Sequence, residues 1–451
     1  MVSSICSFRN DFIIPRLLEE HDKVPRDDRD QGPVDMSTAE NAFMKQKVLR
    51  TQHERPYLSL ASYQLDYAEE IGGSIVIRER LSALFNEHIS PDSKTSASEL
   101  VLGAGAQCTL DALIEALCDP GDGVMIATPY WSGLDLSISI RNNAKVIPVN
   151  IPLEQFFDVS SVDYYERAFK SAVHPVKAVL VCNPHNPLGR CYPRATLEAI
   201  WGFSQTNELH YISDEVYALS FHGVSKPAVD TMVSAAGLHP SSGMIHVIYS
   251  LSKDFGCNGI RVGSLLSRSA KVRMCVALST HGQISSLAIP FVDSVVLTDS
   301  MVTTLFTESR TFMEESRNLV TEFLDGRGIK FIPATAGLFV FAKLCLNSTD
   351  SERSFIMRLC KQGIVLASGT SYHCQELGWF RICFAVERSK LRAGLVRLGY
   401  VLDELDASGA GENDQLDQVE PRVRVDRKRK LVALDGCDKA KRSCVGKDLT
   451  F

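Results

Sequence analysis

Residues 250–263 read "SLSKDFGCNGIRVG", and they place Lys253 eight residues before Arg261. The apolar run "MIHVIYS" at 244–250 comes directly before the lysine. Most lysines lie on a solvated face, and a single arginine is usually a surface charge. The glycines at 256, 259 and 263 would let the backbone turn and pass close to a ligand. Only the rest of the chain can show whether Lys253 belongs to a site.

The same pattern, an apolar run that ends at small or polar residues, recurs from about residue 60 to 300. It is found in "ELVLGAGAQ", "GVMIATPYW", "AKVIPVNI", "KAVLVCNPHNPLG", "HYISDEVYALSF" and "MIHVIYSLSKDFG". Helix-like segments such as "CTLDALIEALCDPGD" and "PRATLEAIWGFSQTNEL" lie between the runs. Alternating strands and helices predict an α/β fold with a mainly parallel sheet covered on both faces.

The character of the chain changes at four places, which predict its domain boundaries. Residues 1–35 are polar and irregular, and we interpret them as an N-terminal arm. Residues 61–309 would form a large domain, and residues 36–60 with 310–407 a smaller α+β domain. Residues 408–451 predict a flexible charged tail. Its "RKRK" at 427–430 could be a nuclear-import or anion-binding patch, although a solvated basic tail is the simpler interpretation.

Composition argues against several classes of partner. The formal net charge of -6 over 451 residues gives no electrostatic reason to expect nucleic acid binding. No apolar run is long enough to span a bilayer, and the N-terminus does not resemble a secretory signal. The 13 cysteines form no C-x-x-C pair, which favours free thiols in a reducing compartment. We therefore expect a cytoplasmic protein.

Ligands of an open parallel sheet bind beyond the carboxyl ends of its strands, so the residues after each apolar run are the candidates for a site. Those residues are Gly105 to Gln107, Tyr130 with Trp131, Asn183 to Gly189, Asp214 with Tyr217, and Ser250 to Lys253. A lysine could form a Schiff base, and Asp214 can pair with a protonated ring nitrogen. Together with Arg261, which can hold a phosphate, these residue types predict a pocket for pyridoxal phosphate.

Three separated motifs then support a family resemblance. "NPHNPLG", "SDEVY" and "SLSKDFGCNGIRVG" occur in the order expected of class I/II aminotransferases, the fold-type I pyridoxal-phosphate enzymes. The resemblance covers roughly residues 35–405. Within the family the chain is most similar to the 1-aminocyclopropane-1-carboxylate (ACC) synthase branch, through "STAEN" (37–41), "DPGDGVMIATPYW", "AGLF" (336–339) and "HCQELGWFRICFA" (373–385).

The resemblance implies a role for each matching position. Lys253 would carry the cofactor covalently and move protons at the substrate's Cα, and Asp214 would keep the ring nitrogen protonated. Asn186 and Tyr217 would bind the phenolic oxygen, and Trp131 would stack on the ring. The phosphate would meet Ala106, Gln107, Ser250 and Arg261, and Tyr67 would reach the phosphate of the other subunit in a homodimer. Arg381 would bind the substrate's α-carboxylate.

Each residue has a simpler interpretation when it is taken alone. Asp214 could cap a helix or a turn, Tyr217 could be core, and Trp131 could be structural. The Asn-Pro pairs could form only a turn. Arg381 sits in an apolar strand, where an unpaired charge is costly. For His373 and Cys374 we expect packing roles.

Two other classes of protein are weighed against the family. "SLSK" at 250–253 also matches the S-x-x-K motif of penicillin-binding serine hydrolases, but the chain has "SDE" and no K-T-G element. A cofactor-binding homologue without activity is the other alternative, and the presence of the lysine, the aspartate and both arginines argues against it.

The reaction stays open at this level. Our first expectation is an aminotransferase-family enzyme of secondary metabolism, acting at Cα of an amino acid or an amino-acid-derived conjugate. A carbon–sulfur β-lyase acting on S-conjugates is the runner-up, and ACC synthase follows. Two departures count against ACC synthase: "DYAEEIGGSIVIRERL" lacks that branch's Tyr-His-Gly element, and Gln107 stands where the branch usually has threonine.

Overall fold

The computed structural model describes residues 32–54, 62, 66, 70–222, 234–345 and 349–409. Contacts divide the chain into one compact unit that ends at Glu404 and a second that begins at Leu405. The strands below all belong to the first unit. Residues 1–31 of the N-terminal arm, Tyr67 and nearly all of the predicted tail lie outside the described residues. The domain boundaries at 35, 60, 309 and 407 therefore stay predictions.

The larger sheet has seven strands in the order β2-β8-β7-β6-β5-β3-β4. They are β2 (Leu100–Gly103), β3 (Gly123–Thr128), β4 (Lys145–Asn150), β5 (Val176–Cys182), β6 (His210–Asp214), β7 (Ile245–Ser250) and β8 (Gly263–Ser267). Only β8 runs against its neighbours, so the sheet is mainly parallel, as predicted. Pro148 lies in edge strand β4, where its missing N–H is tolerated.

Alternate residues of the central strands enter two separate core clusters. Val124 and Ile126 of β3 belong to one cluster, while Met125 and Ala127 belong to the other. Because successive side chains of a strand point to opposite faces, both faces of this sheet are buried. The near-continuous apolar runs of the sequence follow from this double burial.

The longer helices flank the strands in chain order. They are α1 (Ala42–Glu54), α2 (Ile75–Leu84), α3 (Gly105–Leu117), α4 (Val162–Ser171), α5 (Arg194–Thr206), α6 (Ala270–Thr280), α7 (Arg310–Asp325), α8 (Thr349–Lys361) and α9 (Arg388–Gly409). Shorter helical pieces cover Gly133–Asp135, Ala288–Phe291 and Asp299–Thr304, and each continues into a π-helical turn.

A second sheet of four antiparallel strands has the order β12-β13-β10-β9. Its strands are β9 (Phe331–Ile332), β10 (Phe339–Lys343), β12 (Ala367–Ser368) and β13 (Trp379–Cys383). A two-stranded ladder joins β1 (Val34–Asp35) to β11 (Ile364–Val365). The segment after β1 runs beside the end of β13 in the four-stranded sheet. Cys383 N–H donates to the Met36 carbonyl at 2.8 Å, and Ala42 N–H donates to the Ala385 carbonyl at 2.9 Å.

In the described part of the chain no single helix has the length and apolarity of a membrane span, and one pair, Ala288–Val296 with Asp299–Asp325, bent by 59°, meets that criterion jointly.

Candidate active site

Strand register brings the predicted site residues to one edge of the larger sheet. The last residues of β5 and β6, Cys182 and Asp214, are partners across the ladder. Gly263 opens antiparallel strand β8 opposite Ser250, the last residue of β7, and opposite Gly103, the last residue of β2. The turn before β8 therefore opens at the same edge as the carboxyl ends of the parallel strands, and that turn carries Arg261.

A cavity of about 410 Å³ lies at this edge. Every predicted site residue within the described part of the chain lines it: Ala106, Gln107, Trp131, Asn186, Asp214, Tyr217, Ser250, Lys253, Arg261 and Arg381. Tyr67 is outside the described residues. Residues from motifs that are far apart along the chain thus meet in one cavity.

Lys253 lines the cavity, and a hydrogen bond holds its amine. Its Nζ donates to the carbonyl of Ala39 at 2.8 Å. Burial, and after it the positive charge of Arg381, lower the pKa of Lys253 from 10.5 to about 8. Asp214 and Glu40 oppose this shift by favouring the ammonium. A substantial fraction of the amine is therefore neutral near pH 8 and able to act as a nucleophile.

Asp214 ends β6 and is almost completely buried. Burial raises the pKa of this carboxyl to about 6, against the opposing effects of the Val216 N–H bond and Lys253. The carboxylate still prevails at neutral pH and can hold a proton on a ring nitrogen. Tyr217 is also buried, and its ring meets Phe339 edge-on, with centroids 5.5 Å apart.

Arg381 lies in β13 of the four-stranded sheet and lines the cavity, and only 5% of it is exposed. Nη1 donates to Asn186 Oδ1 at 2.8 Å, and Nη2 donates to the Ser37 carbonyl. The guanidinium also lies over the rings of Phe339 and Tyr372, at 4.7 and 5.0 Å from their centroids. Its Nε is buried and has no hydrogen-bond partner among the described residues. A buried guanidinium that lines a cavity suits a carboxylate ligand.

The other end of the cavity is suited to a phosphate. Helix α3 begins at Gly105, and the first N–H groups of a helix have no partner inside it. Arg261 lies beside this helix end, because its Nη2 donates to the Ala104 carbonyl at 3.1 Å and its Nη1 to the Asn258 carbonyl at 2.8 Å. Ser250 adds a buried hydroxyl.

Two glycines make this close approach possible. A Cβ on Gly105 would lie 2.3 Å from Arg261 Nη2, and one on Gly263 would lie 2.6 Å from the Ala106 nitrogen. Gly105 also has φ +84°, which favours glycine. Gly259 differs, since a Cβ there would meet no atom of the described residues within 4 Å, so the need for glycine at 259 stays a prediction.

Trp131 follows β3 and is 42% exposed, so its face is available to a ligand. A Cβ on Gly133 would lie 2.2 Å from the indole, which shows that the ring packs closely on that backbone. Gln107 Nε2 lies 3.5 Å from the Gly133 carbonyl. The Gly133 backbone therefore supports one side of the indole at the cavity wall.

The structure adds cavity residues that sequence reasoning missed. Ser37, Thr38, Ala39 and Tyr372 also line the cavity. "STAEN" did signal the first three, but only as a family motif and without a role. His373, for which packing was expected, stacks on Tyr130 with ring centroids 4.5 Å apart. Its Nε2 also lies 2.9 Å from Asp135 Oδ2, and Cys374 is buried as expected.

The donor set fits pyridoxal phosphate. A lysine amine of lowered pKa, a buried carboxylate and an arginine at a helix start match the aldehyde, ring nitrogen and phosphate of that cofactor. Arg381 remains for a carboxylate. Fold and site together define a fold-type I pyridoxal-phosphate enzyme.

Comparison with known proteins identifies the family. Residues 33–398 match the family Aminotransferase class I and II, and the chain belongs to it. A probable aminotransferase, tcpI, of Claviceps purpurea (strain 20.1) is 45% identical over 90% of this chain and 96% of its own length. The protein is accordingly a pyridoxal-phosphate-dependent enzyme of the aminotransferase family, and its substrates are of the amino-acid type.

Similarity also extends to the predicted branch and to solved structures. The 1-aminocyclopropane-1-carboxylate synthase 1 of Oryza sativa subsp. indica is 32% identical over 88% of this chain and 86% of its own length. An aromatic aminotransferase from Pyrococcus horikoshii OT3 has the same fold, with a TM-score of 0.70 at 20% identity over 83% of this chain and 96% of that one. The recognised family, its ACC synthase-like branch and the fold class are thereby confirmed.

Proposed function

We propose that this protein is an aminotransferase of fungal secondary metabolism that acts at Cα of an amino acid or an amino-acid-derived conjugate. The observation that carries the proposal is the position of Lys253, a buried amine whose pKa is lowered to about 8, in one cavity with Asp214 and Arg381. The similarity to a probable aminotransferase of Claviceps purpurea supports the reaction type and the fungal setting.

Each cavity residue has a proposed task. When bound, pyridoxal phosphate withdraws electrons from the substrate's Cα and so makes its proton acidic. Lys253 holds the cofactor and, once free, moves the proton at Cα. Asp214 keeps the ring nitrogen protonated, and Tyr217 and Asn186 hold the phenolic oxygen. Arg381 grips the substrate carboxylate and thereby fixes the orientation of Cα.

At the far end, Ser250, Arg261 and the start of α3 with Ala106 and Gln107 hold the phosphate. Trp131 covers one face of the ring. Tyr67 would reach the phosphate in the second subunit's site. These contacts would bind the cofactor at a distance from the reacting Cα. The charged groups near Lys253 would then act on the substrate and would not be needed to hold the cofactor.

A carbon–sulfur β-lyase is the second candidate, and ACC synthase the third. The three reactions share deprotonation at Cα and differ in what leaves afterwards, so the same residues serve all of them. The rice ACC synthase similarity supports the third candidate. Gln107, which stands in the cavity where that branch usually has threonine, counts against it.

A product assay on purified holoenzyme separates the three reactions. Keto acid that forms only with an added amino acceptor would support transamination. Ammonia and thiol from an S-substituted cysteine would show a lyase, and ACC from S-adenosylmethionine would show the synthase. The Lys253→Ala variant supplies the background for each probe. Absence of acceptor-dependent keto acid over a panel of amino acids would overturn the first proposal.

We also propose a homodimer in the cytoplasm. Exposed apolar side chains support the dimer, because patches of this kind mark interfaces. They are Ile71, Ile75, Val76, Met274, Leu278 and Leu287. Residues 71–76 and helix α6 lie next to each other, since a methyl group on Gly72 would lie 3.9 Å from the Cβ of Ala277 in α6. The cytoplasmic location rests on composition alone, and fluorescence microscopy of the tagged protein tests it.

A further inference from the structure

A buried, fully hydrogen-bonded carboxylate lies directly behind Lys253. Asp254 has no exposed surface. Its Oδ2 accepts the Leu219 N–H at 3.1 Å and the Tyr249 hydroxyl at 3.0 Å, and its Oδ1 accepts the Ser220 hydroxyl at 2.5 Å. Burial raises the pKa of Asp254 to about 7, and the bonds from Ser220, Leu219 and Tyr249 oppose that shift by stabilising the carboxylate. The position after the lysine does not by itself require a buried carboxyl, because a solvated side chain could also stand there. The burial and the three hydrogen bonds of Asp254 therefore need an explanation of their own.

The donors come from segments that carry other parts of the site. Leu219 and Ser220 belong to the turn after β6, and Ser220 N–H donates to the Tyr217 carbonyl at 2.9 Å. Tyr249 is the second-last residue of β7, four residues before Lys253. One carboxylate therefore joins the turn that carries Tyr217 to the turn that carries Lys253.

The backbone of Asp254 holds a third segment. Its carbonyl accepts Asn41 Nδ2 at 3.1 Å, and Asn41 Oδ1 accepts the Met44 N–H at 3.0 Å at the start of α1. Two residues before Asn41, the Ala39 carbonyl accepts Lys253 Nζ at 2.8 Å. The N-terminal wall of the cavity is thus tied to the same turn as the lysine.

We propose that Asp254 is a positioning residue that holds Lys253 and Tyr217 at a fixed separation around the cofactor. The inference rests on the proposed roles of those two residues. A misplacement of about 1 Å in a reacting group can lower a rate by about a hundredfold, so the rigidity of this network bears on turnover. Fully satisfied buried polar networks are suited to this task because they specify one arrangement.

The test compares Asp254→Asn holoenzyme with the unmodified protein. Asparagine keeps the shape but presents an NH₂ group to residues that are themselves donors. We expect kcat to fall about tenfold or more with KM changed less than about threefold. We also expect the pH midpoint of the bound cofactor's absorbance band, measured without substrate, to move by more than about half a unit.

Asp122→Asn is the matched control. Asp122 is also a buried carboxylate, and its Oδ2 accepts the Asp119 N–H at 2.8 Å, but it precedes β3 at the opposite edge of the sheet. This variant should lower the thermal midpoint while kcat and the band stay unchanged. If Asp254→Asn likewise changes only the thermal midpoint, the positioning role is wrong.

Single-donor variants decide the case if Asp254→Asn does not fold. Tyr249→Phe and Ser220→Ala each remove one hydrogen bond to the carboxylate. A shifted band or a lowered kcat in either variant supports the proposal, and unchanged values in both overturn it. Failure of the proposed function is visible separately, as an unmodified protein whose cofactor band responds to no amino acid.

Discussion

At the scale of single residues, the site depends on burial, which lowers the pKa of one amine and raises that of one carboxyl. Lys253 lies between Arg381, which favours its neutral form, and Asp214, which favours its charged form. Burial moves the pKa of both groups toward neutrality, to about 8 for Lys253 and about 6 for Asp214. Between these values the amine is mostly protonated and the carboxyl mostly ionised, while each remains within reach of proton transfer.

Removal of the amine tests its assigned role. Lys253→Ala should lose the protein-bound cofactor's characteristic absorbance and lower turnover by at least about a thousandfold, because no other group would move the Cα proton. Spectra and product assays measure both effects. Lys170→Ala, on an exposed helix residue, is the control and should match the unmodified protein. Full activity in Lys253→Ala would remove the lysine from the mechanism.

The pH dependence of cofactor uptake follows from the same pKa. Only the neutral amine attacks an aldehyde, so the rate at which apoenzyme takes up pyridoxal phosphate should rise with pH, with a midpoint near 8. Arg381→Gln removes the positive charge that lowers the pKa of Lys253, so the midpoint should move to higher pH. Rapid-mixing absorbance measurements give both midpoints.

Arg388→Gln provides the comparison for that shift, because Arg388 is a surface residue paired with Glu315. It should leave the midpoint where it is. An unchanged midpoint in Arg381→Gln would show that the charge of Arg381 does not reach the amine.

At the scale of elements, the phosphate end depends on how closely the start of α3 approaches the turn before β8. Gly105→Ala would place a methyl group 2.3 Å from Arg261 Nη2, at a backbone φ of +84°. That strain costs about 1–2 kcal/mol for a residue with a Cβ. We expect the dissociation constant of pyridoxal phosphate to rise about tenfold or more, measured by titration of the apoenzyme.

A glycine far from the cavity provides the control, because it shows what a change of glycine to alanine does where no close approach is involved. Gly202 lies inside α5, and a Cβ there would meet no atom of the described part of the chain within 4 Å. Gly202→Ala should therefore stabilise the fold by about 0.5–1 kcal/mol and leave cofactor affinity unchanged. Equal affinities in the two variants would contradict the close-approach explanation for Gly105.

The elements also show how much the sequence could predict. Short apolar runs with small or polar residues at their ends predicted the strands and the edge where Asp214 and Lys253 lie, because parallel strands leave their carboxyl ends together. The same reasoning could not find Ser37 to Ala39. They reach the cavity through long-range bonds, such as Ser37 O with Arg381 and Ala39 O with Lys253, and no local pattern encodes partners more than 200 residues away.

Asp254 shows a second kind of limit. In the sequence it is one charged residue after a lysine, and nothing local separates a solvated carboxylate from a buried one. Its burial and its bonds to Leu219 and Ser220 emerge only when β6 and β7 are paired. The chemistry of the site could be predicted from residue types, while its supporting network required the tertiary structure.

At the scale of the whole molecule, the proposed dimer and the active site are linked through one surface. Helix α6 packs against α3, whose first turn forms the phosphate end of the cavity. The exposed apolar side chains of α6 and of residues 71–76 lie next to that helix pair. A second copy that covers them would lie close to the cofactor, which is where the family resemblance places Tyr67 of the other subunit.

Charge introduced into that patch should separate the subunits and weaken cofactor binding together. Leu278→Glu places a carboxylate on a side chain that is 62% exposed in the single chain and that a partner would bury. An unpaired buried charge costs several kcal/mol, so we expect a monomer by light scattering and a higher pyridoxal phosphate dissociation constant. Val173→Glu, on an 89% exposed residue after α4, is the control and should change neither quantity. A fully active Leu278→Glu monomer would contradict both the interface and the contribution of a second subunit to the site.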